Sequence, residues 1–137
     1  MAKKKKELIQ TIGKRKSAIA RATVKPGNGK IYIGNKNLDF VQPEIARLLI
    51  TEPLVLAGDV VKNWNFDVNI YGGGIMGQAQ AARQAIARAL VEIDSGLKKK
   101  FLDYDRTLLI ADVRRNEPHK PSRSKAGPRR HKQRSKR

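Results

Sequence analysis

The last 24 residues, RRNEPHKPSRSKAGPRRHKQRSKR (114–137), set the strongest limit on what this chain can fold into. They hold three prolines, one glycine and no aliphatic side chain larger than alanine. Such a stretch cannot bury enough apolar surface to offset its ordering entropy. It is expected to be an extended tail that orders only on a partner, and drawn out fully it would reach roughly 80 Å. The sequence therefore divides into a basic extension over 1–7, a body over 8–113 and the tail over 114–137. One domain is the default for a body of this size.

Charge follows the same division. The chain carries 30 Lys/Arg against 12 Asp/Glu, a net charge of +18. Residues 1–30 contribute ten cations and one acid, residues 31–113 nine and ten, and residues 114–137 eleven and one, giving +9, −1 and +10. A nearly neutral body thus bears two strongly basic ends. Cations at that density repel one another unless a polyanion neutralises them. Nucleic acid fits best, because binding releases its condensed counterions. A nuclear-import signal or a solvated tail is the plainer alternative, but two separate arms exceed what an import signal needs.

Periodicity gives the expected elements. LIQTIGKRKSAIARATV (8–24) reads as one long strand, alternating from Ser17 onward. KPGNGK (25–30) reads as the turn of a hairpin, with IYIG returning as its second strand. Pro43 is placed to open a short helix with Ile45, Leu48 and Leu49 as its apolar face, and Pro53 is expected to limit it. VVKNWNFDVNIY holds the next strand, ended by Gly72–Gly74. A helix is expected over about 77–93. Ala79, Ala82, Ile86, Leu90 and Ile93 form its apolar stripe, and Ala81, Ala85 and Ala89 a second ridge of small residues suited to close packing on a sheet. Arg83, Gln84 and Arg88 lie off the stripe, which leaves them free for a partner. Gly96 suits a helix C-terminus. GLKKKFLDYD is expected to add a helical turn, and RTLLIADVRR a last strand.

YGGGIMGQAQ (71–80) contains Gly72-x-Gly74-x-x-Gly77, the spacing of a dinucleotide loop between strand and helix. The rest of that reading fails. No acidic residue stands at the tip of a second strand about 20 positions on, there is no second βαβ half, and no room remains for a substrate domain. Other chemistry has no better support. No cysteine is present, which excludes disulfides, thiolate zinc sites and thiol catalysis. His119 and His131 are lone, and the tail serines have no base beside them. No cofactor or metal is expected, and no apolar run approaches the ~20 residues of a membrane span. The loop has two remaining readings. It is an anion site, where backbone N–H groups and a helix N-terminus meet a phosphate, or a tight turn needed for packing alone.

The segment GGGIMGQAQAARQAIARAL (72–90) resembles the signature of the universal small-subunit ribosomal protein nine, the S-nine family. GKRKSAIARATVKPGNGKIYI (13–33) resembles that family's opening strand and hairpin, and Ser135-Lys136-Arg137 its basic terminus. EPLVLAG and RRNEPHKPSRSKAG look more like archaeal members than bacterial ones. The resemblance implies an α+β fold, a single four-stranded sheet with helices on one face, similar to the second domain of ribosomal protein S-five, plus the extended tail. It implies a non-enzymatic constituent of the small subunit in the cytoplasmic ribosome. Its partners would be small-subunit rRNA in the head, neighbouring head proteins and the anticodon arm of the peptidyl-site tRNA. The rRNA contacts expected on this basis are Lys14, Arg15, Lys16, Arg21, Gly72, Gly73, Gly74, Gln78, Arg83, Arg88, Arg114, Arg115, Lys120, Arg123, Lys125, Arg129, Arg130 and Lys132. The tRNA contacts expected are Arg134, Ser135, Lys136 and Arg137. No aromatic residue follows Tyr104, so the tail is expected to read backbone and shape rather than to stack on bases. A DNA-compacting chromatin protein is the alternative from charge alone.

Overall fold

A computed structural model describes residues 8–118. The elements run β1 (Ile9–Arg15), β2 (Ala18–Pro26), β3 (Ile31–Ile33), β4 (Lys36–Asn37), a 3-10 turn (Leu38–Phe40), α1 (Glu44–Ala57), a second 3-10 stretch (Gly58–Asn63), β5 (Trp64–Tyr71), α2 (Ile75–Ile93), α3 (Leu97–Tyr104) and a third 3-10 turn (Arg106–Leu108). One sheet of order β1-β2-β5-β3-β4 carries the fold. It has one strand more than the expected four, the fifth being the two-residue edge strand β4. All pairings are antiparallel except β3 with β5.

The expected long strand over 8–24 is in fact a tight hairpin. Arg15 pairs with Ala18, and Lys16 and Ser17 make the turn. Lys16 takes a positive φ of 52°, an uncommon conformation for a residue with a side chain. The inward-facing positions are odd-numbered in β1 (Ile9, Thr11, Gly13) and even-numbered in β2 (Ala18, Ala20, Ala22, Val24), so the period changes phase across the turn, and the polar run Lys14–Ser17 hides the break. The expected hairpin at 25–30 does not form either. β2 and β3 are not neighbours, because β5 lies between them. Asn65 at the start of β5 explains this: its Oδ1 accepts from the N–H groups of Asn28 and Lys30 at 2.9 and 3.0 Å. The glycine-rich loop is a sling around Asn65, and a Cβ on Gly27 would stand 2.2 Å from that side chain.

Ala18, Ala20, Ala22 and Val24 of β2 and Phe66 and Val68 of β5 point into the core. α2 lies across them and β1. Ala81, Ala85 and Ala89 of the small-residue ridge are fully buried as expected, and so is Ala82 of the apolar stripe. Their size sets the helix–sheet distance: an added Cβ on Gly13 of β1 would lie 2.0 Å from the Ala81 carbonyl oxygen. Ile86 and Leu90 supply larger apolar burial, each worth about 1.5–3 kcal/mol. Thr11, buried on β1, donates from Oγ1 to the Ala85 carbonyl at 2.7 Å, so its hydroxyl is satisfied inside the core.

α1 packs along α2, but with a different face from the one expected. Ala46, Ile50, Pro53, Leu54 and Ala57 are buried, whereas Ile45 and Leu48 are 60% and 55% exposed. Pro53 does not end the helix. Its ring is fully buried and the helix continues to Ala57; packing there outweighs the hydrogen bond a proline forfeits. α3 forms as expected and buries Leu97 and Phe101. Gly96 has an ordinary helical conformation and precedes α3, while Asp94 ends α2. The expected last strand over 106–115 is absent. Leu108 anchors the segment in the core, and 109–118 is irregular. A guanidinium takes the place of a strand ladder beside β1: Arg88 donates to the Ile12 carbonyl at 2.7 Å and to the Leu109 carbonyl at 3.0 Å. This also covers part of the open edge of β1.

Candidate nucleic-acid interface

Three segments far apart in sequence meet at one end of the sheet. The first is the hairpin tip, Lys14-Arg15-Lys16-Ser17. The second is the glycine triplet, which joins β5 to α2. The third is the root of the tail at Arg114 and Arg115.

Packing brings the first two together. β2 pairs with β5 such that Ile19 faces Tyr71, so the triplet after Tyr71 passes the hairpin turn. Gly72 and Gly73 have φ of 76° and 66°. A Cβ on Gly72 would stand 2.6 Å from the Ser17 carbonyl oxygen, and one on Gly73 would stand 2.9 Å from Ala18 N and Cβ. Both glycines are thus required by the turn and by contact with the hairpin. Gly74 differs: its φ is −96° and nothing lies within 4 Å of where its Cβ would be. It precedes the first turn of α2 and leaves that helix N-terminus open on one side. Gln78 turns back and donates from Nε2 to the Gly72 carbonyl at 3.0 Å, which steadies the loop. Packing therefore accounts for Gly72 and Gly73 but not for Gly74.

The tail root is fastened to the hairpin tip. The Arg115 guanidinium donates to the Lys16 carbonyl. Asp112 sits between Arg15 and Arg114, its Oδ2 at 2.5 Å from Arg15 Nη1 and 2.6 Å from Arg114 Nη2. Hydrogen bonds from the Arg114 side chain and backbone, with Arg15 adding attraction, hold the Asp112 carboxyl well below the usual carboxylate range. Arg15 is fixed a second time by Nε donating to Gln80 Oε1 at 2.6 Å. Lys14, Lys16, Arg114 and Arg115 are exposed. One carboxylate thus holds two of the five cations gathered here, the Lys16 carbonyl holds a third, and the surplus charge faces solvent. Arg21, on the open face of the sheet, lies 5.7 Å from the ring centre of Tyr71, within cation–π range.

The expectation that Arg83, Gln84 and Arg88 are free for a partner is overturned. Arg83 is 8% exposed and Gln84 2%. Arg83 Nη2 lies 2.6 Å from Glu52 Oε2 and 3.1 Å from Asp105 Oδ2, tying α1 and the segment after α3 to α2. Burial pushes the Asp105 carboxyl up, but bonds from Thr107 and Arg83 outweigh it and bring it below its ordinary value. Gln84 Oε1 accepts from the Lys14 N–H at 2.8 Å. Arg88 is committed to two backbone carbonyls. Helical spacing places these residues off the alanine ridge, yet α1, β1 and the segment after α3 close over them. Sequence reasoning missed the two residues that set the cluster's geometry, Gln80 and Asp112, because nothing in their local pattern marks them. Lys120, Arg123, Lys125, Arg129, Arg130, Lys132, Arg134, Ser135, Lys136 and Arg137 lie outside the described residues. Among the described residues no group of His, Asp and Glu has the makings of a metal site, and no helix is long and apolar enough to cross a membrane.

The model of the family Ribosomal protein S9/S16 matches residues 13–137. This chain belongs to that family. The proteins it resembles include the small ribosomal subunit protein uS9 of one strain of Methanococcus maripaludis, 48% identical over 131 residues that cover 94% of this chain and 98% of that protein. The protein of the same name from Methanococcus vannielii is 46% identical over the same coverage. The archaeal character read from EPLVLAG and RRNEPHKPSRSKAG accords with these relatives. The family is a structural, non-enzymatic one, so the dinucleotide spacing of the glycine loop is no sign of an enzyme.

Proposed function

We propose that this chain is a constituent of the small ribosomal subunit that binds small-subunit rRNA in the head with the cluster at the end of its sheet, and reaches the anticodon arm of the peptidyl-site tRNA with its C-terminal tip. The observation that carries the reading is the convergence of Lys14, Arg15 and Lys16 with the glycine triplet and the tail root, in a chain whose family is ribosomal. Exposed cations beside an open helix N-terminus suit phosphates. The direct contacts we assign on the body are Lys14, Arg15, Lys16, Arg21, Gly74, Arg114 and Arg115. Gly72, Gly73, Gln78, Arg83 and Arg88 shape the surface from within. The tail cations Lys120 to Lys132 continue the rRNA contact, and Arg134, Ser135, Lys136 and Arg137 meet the tRNA. The place of action is the cytoplasmic ribosome.

The test is binding of the full chain to folded small-subunit rRNA across a salt series. Affinity is expected to fall by roughly 10³-fold or more between 50 and 200 mM salt, as it does when many phosphates are neutralised. A flat response, or equal affinity for random duplex DNA, overturns the reading. Removal of Lys136 and Arg137 is expected to spare rRNA docking and weaken peptidyl-site tRNA binding to reconstituted subunits. Unchanged tRNA affinity in those subunits contradicts the tail assignment.

A further inference from the structure

One surface of this basic protein carries few cations and several exposed apolar side chains. From the first 3-10 turn through α1, residues 38–57, there are three acids, Asp39, Glu44 and Glu52, and one base, Arg47. The net charge of that stretch is −2 in a chain of +18, and with Glu52 paired to Arg83 of α2 the acids left on its surface are Asp39 and Glu44. Arg47 is turned to local use, donating to the Asp39 carbonyl at 3.0 Å and lying 3.8 Å from Glu44. Glu44 is 73% exposed.

The same stretch exposes large apolar side chains. On α1 the buried residues Ala46, Ile50, Pro53, Leu54 and Ala57 occupy one side. Ile45, Leu48 and Val55, spaced by three and seven, fall together on the opposite side. They are 60%, 55% and 72% exposed, and Phe40, just before the helix, is 70% exposed. Single exposed apolar residues are ordinary; an aligned row on one helix face marks a contact surface. Nucleic acid is a poor occupant. Its phosphates are repelled by Glu44 and Asp39, and apart from the Phe40 ring the row on α1, Ile45, Leu48 and Val55, offers bases neither stacking nor hydrogen bonds.

We infer that the outer face of α1 docks a protein: an apolar ridge flanked by lysine or arginine, supplied by a neighbouring protein of the assembly. The apolar row gives the contact its area, and the acids select a cationic partner and turn RNA away. This rests on the ribosomal reading above and divides the molecule, with one end for RNA and the outer face of α1 for protein.

The experiment compares two titrations of the full chain. One uses protein-free small-subunit rRNA. The other uses the same rRNA preloaded with the purified total protein of small subunits from which this protein has been removed. The wild type is expected to bind the preloaded RNA at least about tenfold tighter. Leu48→Ser/Val55→Ser, a neutral change, is expected to lose that gain while binding bare rRNA as before. Glu44→Lys supplies a sign test: it is expected to weaken the preloaded arm and to leave the bare arm equal or tighter. Equal losses by the serine variant in both arms, or tightening of both by Glu44→Lys, would make this face an RNA contact and overturn the inference. No loss in either arm would make it a solvent face, with the same consequence. Concentration-dependent dimers of the free protein that the serine variant abolishes would assign the face to a second copy and also overturn it. Failure of the wild type to bind rRNA in either arm would instead sink the ribosomal reading. Unchanged circular dichroism of both variants accompanies the comparison.

Discussion

The Arg115 guanidinium donates to the backbone carbonyl of Lys16, closing a loop of 99 residues between the tip of the first hairpin and the root of the tail. With Arg15 and Arg114 on the Asp112 carboxylate, it fixes where the basic tail departs from the body and in which direction its first cations point. Arg115→Ala is expected to leave the melting temperature within about 3 °C, since the residue is exposed and surface changes cost about 0.5 kcal/mol or less. The slope of log affinity against log salt for rRNA should shrink by about one phosphate contact. Thermal unfolding and a salt series check the two halves; an unchanged slope would remove Arg115 from the interface.

Packing accounts for Gly72 and Gly73 but not for Gly74, a difference that substitution can test. Gly73→Ala forces a side chain onto a φ of 66° and against Ala18, and is expected to cost about 1–3 kcal/mol in urea unfolding. Gly74→Ala meets open space at an unstrained φ and should change stability by about 0.5 kcal/mol or less. If Gly74 lets a phosphate approach α2, its alanine variant loses rRNA affinity while keeping its stability. Full affinity in that variant would leave the loop a packing device alone.

Arg83 tests the division between interior and interface. Arg83→Ala leaves Glu52 and Asp105 without their shared cation, and these carboxylates are 31% and 37% exposed. Partial access to water moderates the loss, so about 2–3 kcal/mol of stability is expected. Among the molecules that remain folded, rRNA affinity should equal that of wild type. A weakened salt slope in folded Arg83→Ala would restore it to the contact set.

Asp105 and Asp112 both sit below the ordinary carboxylate range in the folded protein. A depressed folded value means a contribution fully present above the unfolded value, about 3.9, and lost as pH falls through the folded one. These two groups should therefore add no pH dependence to stability between pH 8 and pH 5, and begin to withdraw their contribution below about pH 4. Asp105→Asn should flatten the acid limb of a pH–stability curve relative to wild type. An acid limb of equal steepness in that variant would contradict the linkage.

Much of the fold was open to reading from local pattern. The alanine ridge of α2, the strand over 64–71, the helical turn after Gly96 and the near-neutral body all follow from period and composition. What escaped has a common physical cause. The hairpin turn at Lys16 and Ser17 lies within the polar run Lys14–Ser17, which hides the change of phase between the inward positions of β1 and those of β2. The sling at 25–30 depends on Asn65, which only a folded chain brings to it. RTLLIADVRR looks like a strand, but the Arg88 guanidinium binds the carbonyls of Ile12 and Leu109 that a ladder there could have used. In α1, both sides of the helix are apolar, and the sequence cannot say which one α2 will cover.

The sequence by itself determined the distribution of charge and apolar residues: a C-terminal stretch with three prolines and no aliphatic side chain larger than alanine, a middle stretch that holds most of the aliphatic ones, and an excess of cations at the two ends. These are properties of composition and order, and they hold before any contact forms. Tertiary structure alone decided which cations remain available. Arg83 and Arg88 are spent inside on carboxylates and carbonyls brought from 21 to 76 residues away, while Lys16, Arg114 and Arg115 are gathered at one end. Burial and partner geometry depend on contacts between distant segments, and local pattern carries no record of them.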